Sequence, residues 1–317
     1  MNNNIKTGKN CKKVLIIGAN GFLGRNLLKY RDTEEAKGSN LNLIAADLEN
    51  SNLPSDIPFY TIDITDYEQS EKKITQISPD VIVLTAAMTN VDQCEVDRKL
   101  ASKINVKGPL NIVKACFKTN SKLVFLSTDF IFDGEKKRGY YYKETDIPNP
   151  LSYYAKTKYK AELIIFNSGI EYLICRTAVL YGWNEIKLNF ITWILNNLKQ
   201  NNQISIITNQ INSPTQVINL AQIILKLIEK NAKGIYNTAG NCALNRYEIA
   251  LKCAEVFGYN KNLIIPVDFF EQKAIRPKNV GLDISKLKKL IGVELKIFNL
   301  EEGLIYMMET RNSLETS

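Results

Sequence analysis

The sequence predicts an α/β fold, a doubly wound parallel sheet with a smaller C-terminal lobe. Three observations carry that prediction. Short, continuous apolar runs alternate with helical stretches through the first half of the chain. A glycine-rich turn, Gly18-Ala-Asn-Gly21-Phe-Leu-Gly24, directly follows the first apolar run, Val14-Leu-Ile-Ile17. After Arg176 the alternation loosens.

Residues 14–17, 43–46, 59–62, 81–85, 123–127 and 172–176 read as strands. They are apolar at successive positions, as in parallel strands covered on both faces. Residues 67–76, 94–117 and 153–166 read as the helices between them. In the second half, 190–199, 217–229, 246–257 and 284–290 read as helices, with short strands at 204–207 and 234–237. The polar stretch 31–40 is expected to be a surface loop. Residues 1–11 and 311–317 are expected to be disordered.

Composition narrows the function classes. A chain of 317 residues suffices for one large domain or two lobes sharing a core. No apolar run approaches the roughly 18 residues of a membrane helix, and the polar N-terminus lacks a secretory h-region. The net charge is +8, but the 41 Lys and Arg are scattered, which argues for a solvated surface and against a nucleic-acid partner. Six cysteines show no CxxC and no metal-like spacing, so reduced core residues and no metal site are expected, in a cytoplasmic protein. There is no histidine. Any acid–base step must therefore use Tyr, Lys, Asp, Glu or Cys.

The glycine turn follows a strand and opens a helix, the context in which such a loop binds a dinucleotide. Gly18 permits the tight turn, Gly21 lets the backbone approach a pyrophosphate, and Gly24 allows close helix–strand packing. The helix N-terminus favours the phosphate charge. Asp47, at the end of the second strand, is placed to accept hydrogen bonds from ribose hydroxyls and to repel a 2′-phosphate. That favours NAD(H) over NADP(H), though both remain candidates. Asp63, ending the third strand, is placed to reach the adenine.

Tyr154 and Lys158 lie four apart on one helix and project from one face. An ammonium beside a tyrosine favours the phenolate and lowers its pKa from about 10. Such a tyrosine can exchange a proton with a carbonyl oxygen, and the lysine can also hold a nicotinamide ribose. Ser127-Thr128 ends the fifth strand, at the edge where active sites form. A hydroxyl there can hydrogen-bond the reacting oxygen.

These residues resemble the extended short-chain dehydrogenase/reductase superfamily and, within it, the dTDP-4-dehydrorhamnose reductase family. The resemblance runs over roughly residues 12 to 292. It includes Thr85-Ala-Ala-Met-Thr-Asn-Val-Asp-Gln-Cys-Glu95, Ile104-Asn-Val, Ser127-Thr-Asp-Phe-Ile-Phe-Asp-Gly134, Arg176-Thr-Ala-Val-Leu-Tyr-Gly182, Gln210-Ile-Asn-Ser-Pro-Thr215 and Arg276-Pro-Lys-Asn-Val-Gly-Leu-Asp283. It implies a Rossmann-like fold and a catalytic set of Thr128, Tyr154 and Lys158. It adds cofactor contacts from Asn20, Phe22, Leu23, Ile64, Ala86 and Ala87 to those already named. It implies a nucleotide-diphosphate-sugar substrate held by Thr89, Asp129, Phe130, Val179, Asn189 and Arg276, with the Arg276 guanidinium clamping the diphosphate.

Residues 12–178 and 203–232 are accordingly expected to form the dinucleotide-binding domain, and 179–202 with 233–310 the substrate lobe. A homodimer is one candidate assembly. The sequence departs from the family where Tyr is common and Phe130 stands, where Trp is common and Val179 stands, and where an Asp-Gln pair is usual and Asn209-Gln210 stands. These departures predict weak turnover of dTDP-4-keto-rhamnose. The expected activity is NAD(P)H-dependent reduction of a nucleotide-linked 4-keto-6-deoxy sugar. The alternatives are a nucleotide-sugar epimerase and a dinucleotide-binding subunit resembling the regulatory subunit of methionine adenosyltransferase. A dehydratase is disfavoured, because Phe130 stands where a second carboxylate would follow Asp129.

Overall fold

In the computed structural model, which describes residues 11–32, 39–51, 53–184 and 187–315, apolar runs become strands with both faces covered. Along β1 (Lys12–Ile17), Val14 and Ile16 point into one core while Leu15 and Ile17 point into another. The chain continues through α1 (Phe22–Lys29), β2 (Leu41–Asp47), β3 (Phe59–Thr61), α2 (Tyr67–Ile77) and β4 (Val81–Leu84). Next come α3 (Val91–Val96), α4 (Arg98–Ser102), a π-helical turn (Lys103–Lys107), α5 (Gly108–Thr119), β5 (Lys122–Thr128), α6 (Tyr153–Phe166) and β6 (Tyr172–Thr177).

The second half holds β7 (Leu180–Tyr181), α7 (Phe190–Lys199), β8 (Ile204–Ile207), β9 (Ile211–Asn212), β10 (Thr215–Gln216), α8 (Val217–Glu229) and β11 (Gly234–Asn237). It ends with β12 (Leu244–Asn245), α9 (Arg246–Phe257), β13 (Ile264–Val267), α10 (Ser285–Ile291) and α11 (Leu300–Glu315).

Seven parallel strands form the main sheet in the order β11-β6-β5-β4-β1-β2-β3. The chain winds outward from β1 in one direction and from β4 in the other. Their carboxyl ends flank the switch point, where a crevice opens in such sheets. One core lies under α1, α8 and α10, and the other under α2, α5 and α6. A third core, built from Tyr181, α7, β8, α9 and α11, belongs to the lobe.

Three expectations are corrected here. The single helix expected over 94–117 is broken. Asp97 leaves helical geometry (φ −113°, ψ 73°) and its side chain caps the next helix by accepting from Leu100 N. Pro109 then sits in the first turn of α5, where its missing N–H interrupts the preceding ladder. The expected domain division also shifts. β11 joins the main sheet beside β6, and β8 pairs with β13 in the lobe. Apolar pattern alone does not say which sheet a four-residue strand enters. Finally, the tail after Arg311 continues α11 to Glu315, with the Arg311 guanidinium over the Trp183 ring at 5.9 Å. Residues 1–10, much of the expected 31–40 loop and the last two residues lie outside those described.

The cysteines are all free; Cys94, Cys116, Cys175 and Cys253 are buried and Cys11 is exposed. Among the described residues no helix is long and apolar enough to cross a membrane, and no cluster of metal-ligating side chains occurs.

Candidate active site

β1 ends at Ile17 and the chain turns through Gly18, whose φ of +93° favours glycine. A Cβ there would stand 2.5 Å from Ala86 N and from Thr85 Oγ1. The Thr85 hydroxyl, on the neighbouring β4 end, donates to Ile17 O and Gly18 O at 3.0 Å, stitching the loop to the sheet. Gly21 is the N-cap of α1, and no side chain caps that helix start. Its first amide groups are left for an anion. Gly24 packs behind the loop, where a Cβ would meet Gly18 O at 2.2 Å.

From this loop a cavity of about 1280 Å³ runs along the carboxyl ends of the strands toward the lobe. Gly18, Asn20, Gly21, Phe22, Leu23, Asp47, Asp63, Ile64, Ala86 and Ala87 line it. Each Asp47 carboxylate oxygen accepts a backbone N–H at 2.8 Å, one from Asn20 and one from Leu48. The carboxylate that the sequence places near a ribose thus also pins the glycine loop. Asp63 accepts from both N–H and hydroxyl of Thr65 at 2.8 Å.

At the far end of the cavity stand Thr128, Tyr154 and Lys158. β5 delivers Thr128, paired in register with Thr177 of β6. The Thr128 hydroxyl donates to Asp129 Oδ1 and accepts from Phe130 N, both at 3.2 Å, and it stands near enough to the Tyr154 phenol to favour its ionised form. α6 delivers the other two. Its start is fixed by Ser152, which accepts from Ala155 N, and by Glu95 of α3, which accepts from Tyr153 N at 2.5 Å. Lys158 is buried, its ammonium nitrogen 4.1 Å from the centre of the Phe125 ring.

The electrostatics reverse one expectation. Burial pushes the Tyr154 phenol well above its usual range, with the Thr128 hydroxyl opposing it only in part. Burial also pulls Lys158 down to about 7, against the field of Glu162. Desolvation disfavours the charged form of each group and is the largest influence on both. Asp129, 2% exposed, is pushed up to about 7 by burial, although Asn212 and Thr128 hydrogen-bond it.

Thr89, Asp129, Phe130 and Val179 also line the cavity. Val179 adopts φ +31°, a conformation that strains a β-branched residue. Asn189 and Arg276 are not among the lining residues. Asn189 caps α7 in a reciprocal box with Thr192 and donates to Gly182 O at 2.7 Å. Arg276 forms a bidentate ion pair with Asp92 at 3.1 and 2.8 Å. Their side chains are taken by nearer partners. Ser127, read with Thr128 at the strand end, lines the cavity too, and Thr177 and Arg246 line it without having been singled out. The Ser127 and Thr177 hydroxyls are buried with no hydrogen-bond partner among the described residues. Their place at strand ends was the available signal, whereas Arg246 carried none in a chain so rich in Lys and Arg.

Comparison with known proteins places this architecture in company. The model of the RmlD substrate binding domain family matches residues 12–310. The dTDP-4-dehydrorhamnose reductase of Aggregatibacter actinomycetemcomitans is 29% identical over 296 residues, covering 89% of this chain and 94% of that protein. The methionine adenosyltransferase 2 subunit beta of Rattus norvegicus is 31% identical over 287 residues, covering 88% of this chain and 82% of that protein. The crystal structure of dTDP-4-dehydrorhamnose reductase from Bacillus anthracis in complex with NADP superposes with a TM-score of 0.79 at 30% identity, covering 94% of this chain and 99% of that one.

Proposed function

Because the chain belongs to the RmlD substrate binding domain family, within the extended short-chain dehydrogenase/reductases, we propose that it is an NAD(P)H-dependent reductase of a nucleotide-linked 4-keto-6-deoxy sugar. The observation that carries this reading is the meeting of Thr128, Tyr154 and Lys158 in the cavity that the glycine loop opens. The residues fit a dinucleotide. The close approach at Gly18, the uncapped start of α1 and the hydroxyls of Ser127 and Thr177, unpartnered among the described residues, leave room and hydrogen-bonding capacity for one. Gly18, Gly21 and the α1 amides would hold its pyrophosphate, Asp47 a ribose, and Lys158 the nicotinamide ribose.

When bound, the reduced nicotinamide supplies the hydride. Tyr154 gives its phenolic proton to the ketone oxygen as negative charge builds there. Its raised pKa keeps that proton in place at neutral pH, as a donor requires. Thr128 hydrogen-bonds the same oxygen and holds it in line with Tyr154. Lys158, one turn further on, can take up a proton near neutral pH and so offset the tyrosinate left behind. Phe130 and Val179 present carbon at the sugar end.

The test is a panel of nucleotide 4-keto-6-deoxy sugars, dTDP-4-keto-rhamnose among them, followed by loss of NADPH or NADH absorbance with purified protein. Turnover of at least one member is expected, with dTDP-4-keto-rhamnose weaker than another. Consumption of neither cofactor with any member would sink the reading.

A further inference from the structure

Arg246 opens α9 and reaches the cavity wall from the lobe. The lining cations are Lys103, Lys158 and Arg246, and only Arg246 comes from the lobe side. Its guanidinium lies 4.5 Å from the centre of the Phe190 ring, which shields it but accepts none of its five N–H groups along their edge. Asp129 acts on it through space, and no ion pair or side-chain hydrogen bond ties it to a described residue. On β9, whose partner strand β12 leads into α9, Asn212 is 2% exposed. The Asn212 amide donates to Asp129 Oδ2 at 3.2 Å, while its Oδ1 is buried with no donor among the described residues.

Arg276 is in the opposite condition. One terminal nitrogen donates to Asp92 Oδ1 at 3.1 Å and to Ala274 O at 3.0 Å, and the other to Asp92 Oδ2 at 2.8 Å. Asp92 also accepts from Ala274 N at 2.9 Å. This clasp ties segment 274–276 to α3 and uses the charge of Arg276.

On the reading of the substrate as a nucleotide-diphosphate sugar, we propose that Arg246, and not Arg276, is the cation that holds the diphosphate. A shielded guanidinium with no direct ion pair among the described residues gains most from an anion, and its fork of N–H groups matches phosphate oxygens. Arg276 then acts as a structural clasp at the rim.

Thymidine diphosphate and uridine diphosphate, titrated calorimetrically into wild type, R246Q, R246K and R276Q, test this. Each protein is first saturated with NADP+, so that the glycine loop is filled. R246Q should weaken nucleoside-diphosphate binding about 10- to 100-fold, the scale of losing a charge-assisted hydrogen bond. R246K should recover part of that loss, R276Q should bind within about threefold of wild type, and NADP+ affinity should be unchanged in R246Q. Wild-type binding by R246Q together with a large loss in R276Q overturns the assignment alone. A loss in R246Q accompanied by weaker NADP+ binding and a lower melting temperature also overturns it, since that marks a structural role. Failure of wild type to bind either diphosphate overturns both the assignment and the nucleotide-sugar reading beneath it.

Discussion

At the scale of single residues, the phenol of Tyr154 is deprived of water and keeps its proton, which makes it a donor before any substrate arrives. Tyr154→Phe should lower turnover about 10²-fold or more, the usual contribution of a general acid. It should leave the dissociation constant of the cofactor nearly unchanged, because the glycine loop supplies the phosphate contacts. Tyr153→Phe should be tolerated, since that ring packs under Arg98 at 5.1 Å and is not among the cavity-lining residues. A dead Tyr153→Phe with an active Tyr154→Phe would show the assigned register to be wrong. Asp47 carries a second prediction. Asp47→Asn should raise the preference for NADPH over NADH by removing a negative charge from the 2′ position. It should also weaken both cofactors modestly, because Asn20 N and Leu48 N lose charged acceptors; unaltered kinetics with both cofactors would refute the role. Positions set by backbone geometry or by helical spacing were legible in the sequence: Gly18, Gly21, Tyr154 and Lys158 all line one cavity. The direction of their ionisation was not, because desolvation depends on what packs around them. The ion pair of Arg276 was not legible for a similar reason, as its partner Asp92 lies 184 positions away.

At the scale of elements, the catalytic helix α6 is held on several sides. Glu95 and Ser152 fix its start. Asn105, in the π-helical turn, donates to Thr157 Oγ1 at 3.2 Å and bonds Met88 in the loop after β4. Farther along, Glu162 receives both Nε and a terminal nitrogen of Arg176 on β6, at 3.1 and 2.7 Å. That pair is buried, at 3% and 4% exposure. Glu162→Gln should cost about 3–5 kcal/mol in denaturant unfolding, because it strands a buried guanidinium. It should also lower the Lys158 pKa further, since Glu162 is the charge that opposes its burial. A loss under 1 kcal/mol would show that Glu144 O, 3.1 Å from Arg176, suffices to satisfy it. The boundaries of α6 and the six strands leading to Thr177 were largely readable, because both faces of each strand are apolar and the helix has a capping serine. The break at Asp97 and the sheet that β11 enters were not, because polar capping and edge pairing leave little trace in hydropathy.

For the whole molecule, the absence of histidine simplifies the dependence of stability on pH. No imidazole titrates between pH 5 and 8, and burial pushes the thiols of Cys94, Cys116 and Cys175 up to about 11, 12 and 12. Two buried site groups remain. Asp129 rises from an ordinary carboxylate value to about 7 on folding, so between roughly pH 4 and 7 the folded state binds more protons than the unfolded one. Its contribution is therefore fully present below pH 4 and is lost as pH rises through 7. Lys158 falls to about 7, so above neutrality the unfolded state holds the extra proton and the Lys158 contribution rises, opposed above about pH 8.5 by the buried thiols, which ionise first in the unfolded chain. The two effects make neutral pH the least stable point of this pair. Carboxylates held low by partners, such as Asp92 and Asp133, oppose this only in acid, where they become protonated. The cofactor-free protein should consequently melt a few degrees higher at pH 5 than at pH 7, given a few kcal/mol from one shifted group. In Asp129→Asn that acid-side rise should vanish, while the alkaline rise due to Lys158 stays. In Lys158→Met the pattern should invert, keeping the rise toward acid and losing the rise toward alkali. Melting curves of the three proteins from pH 5 to pH 9 measure this, and parallel profiles for all three would show that neither buried group changes its ionisation on folding.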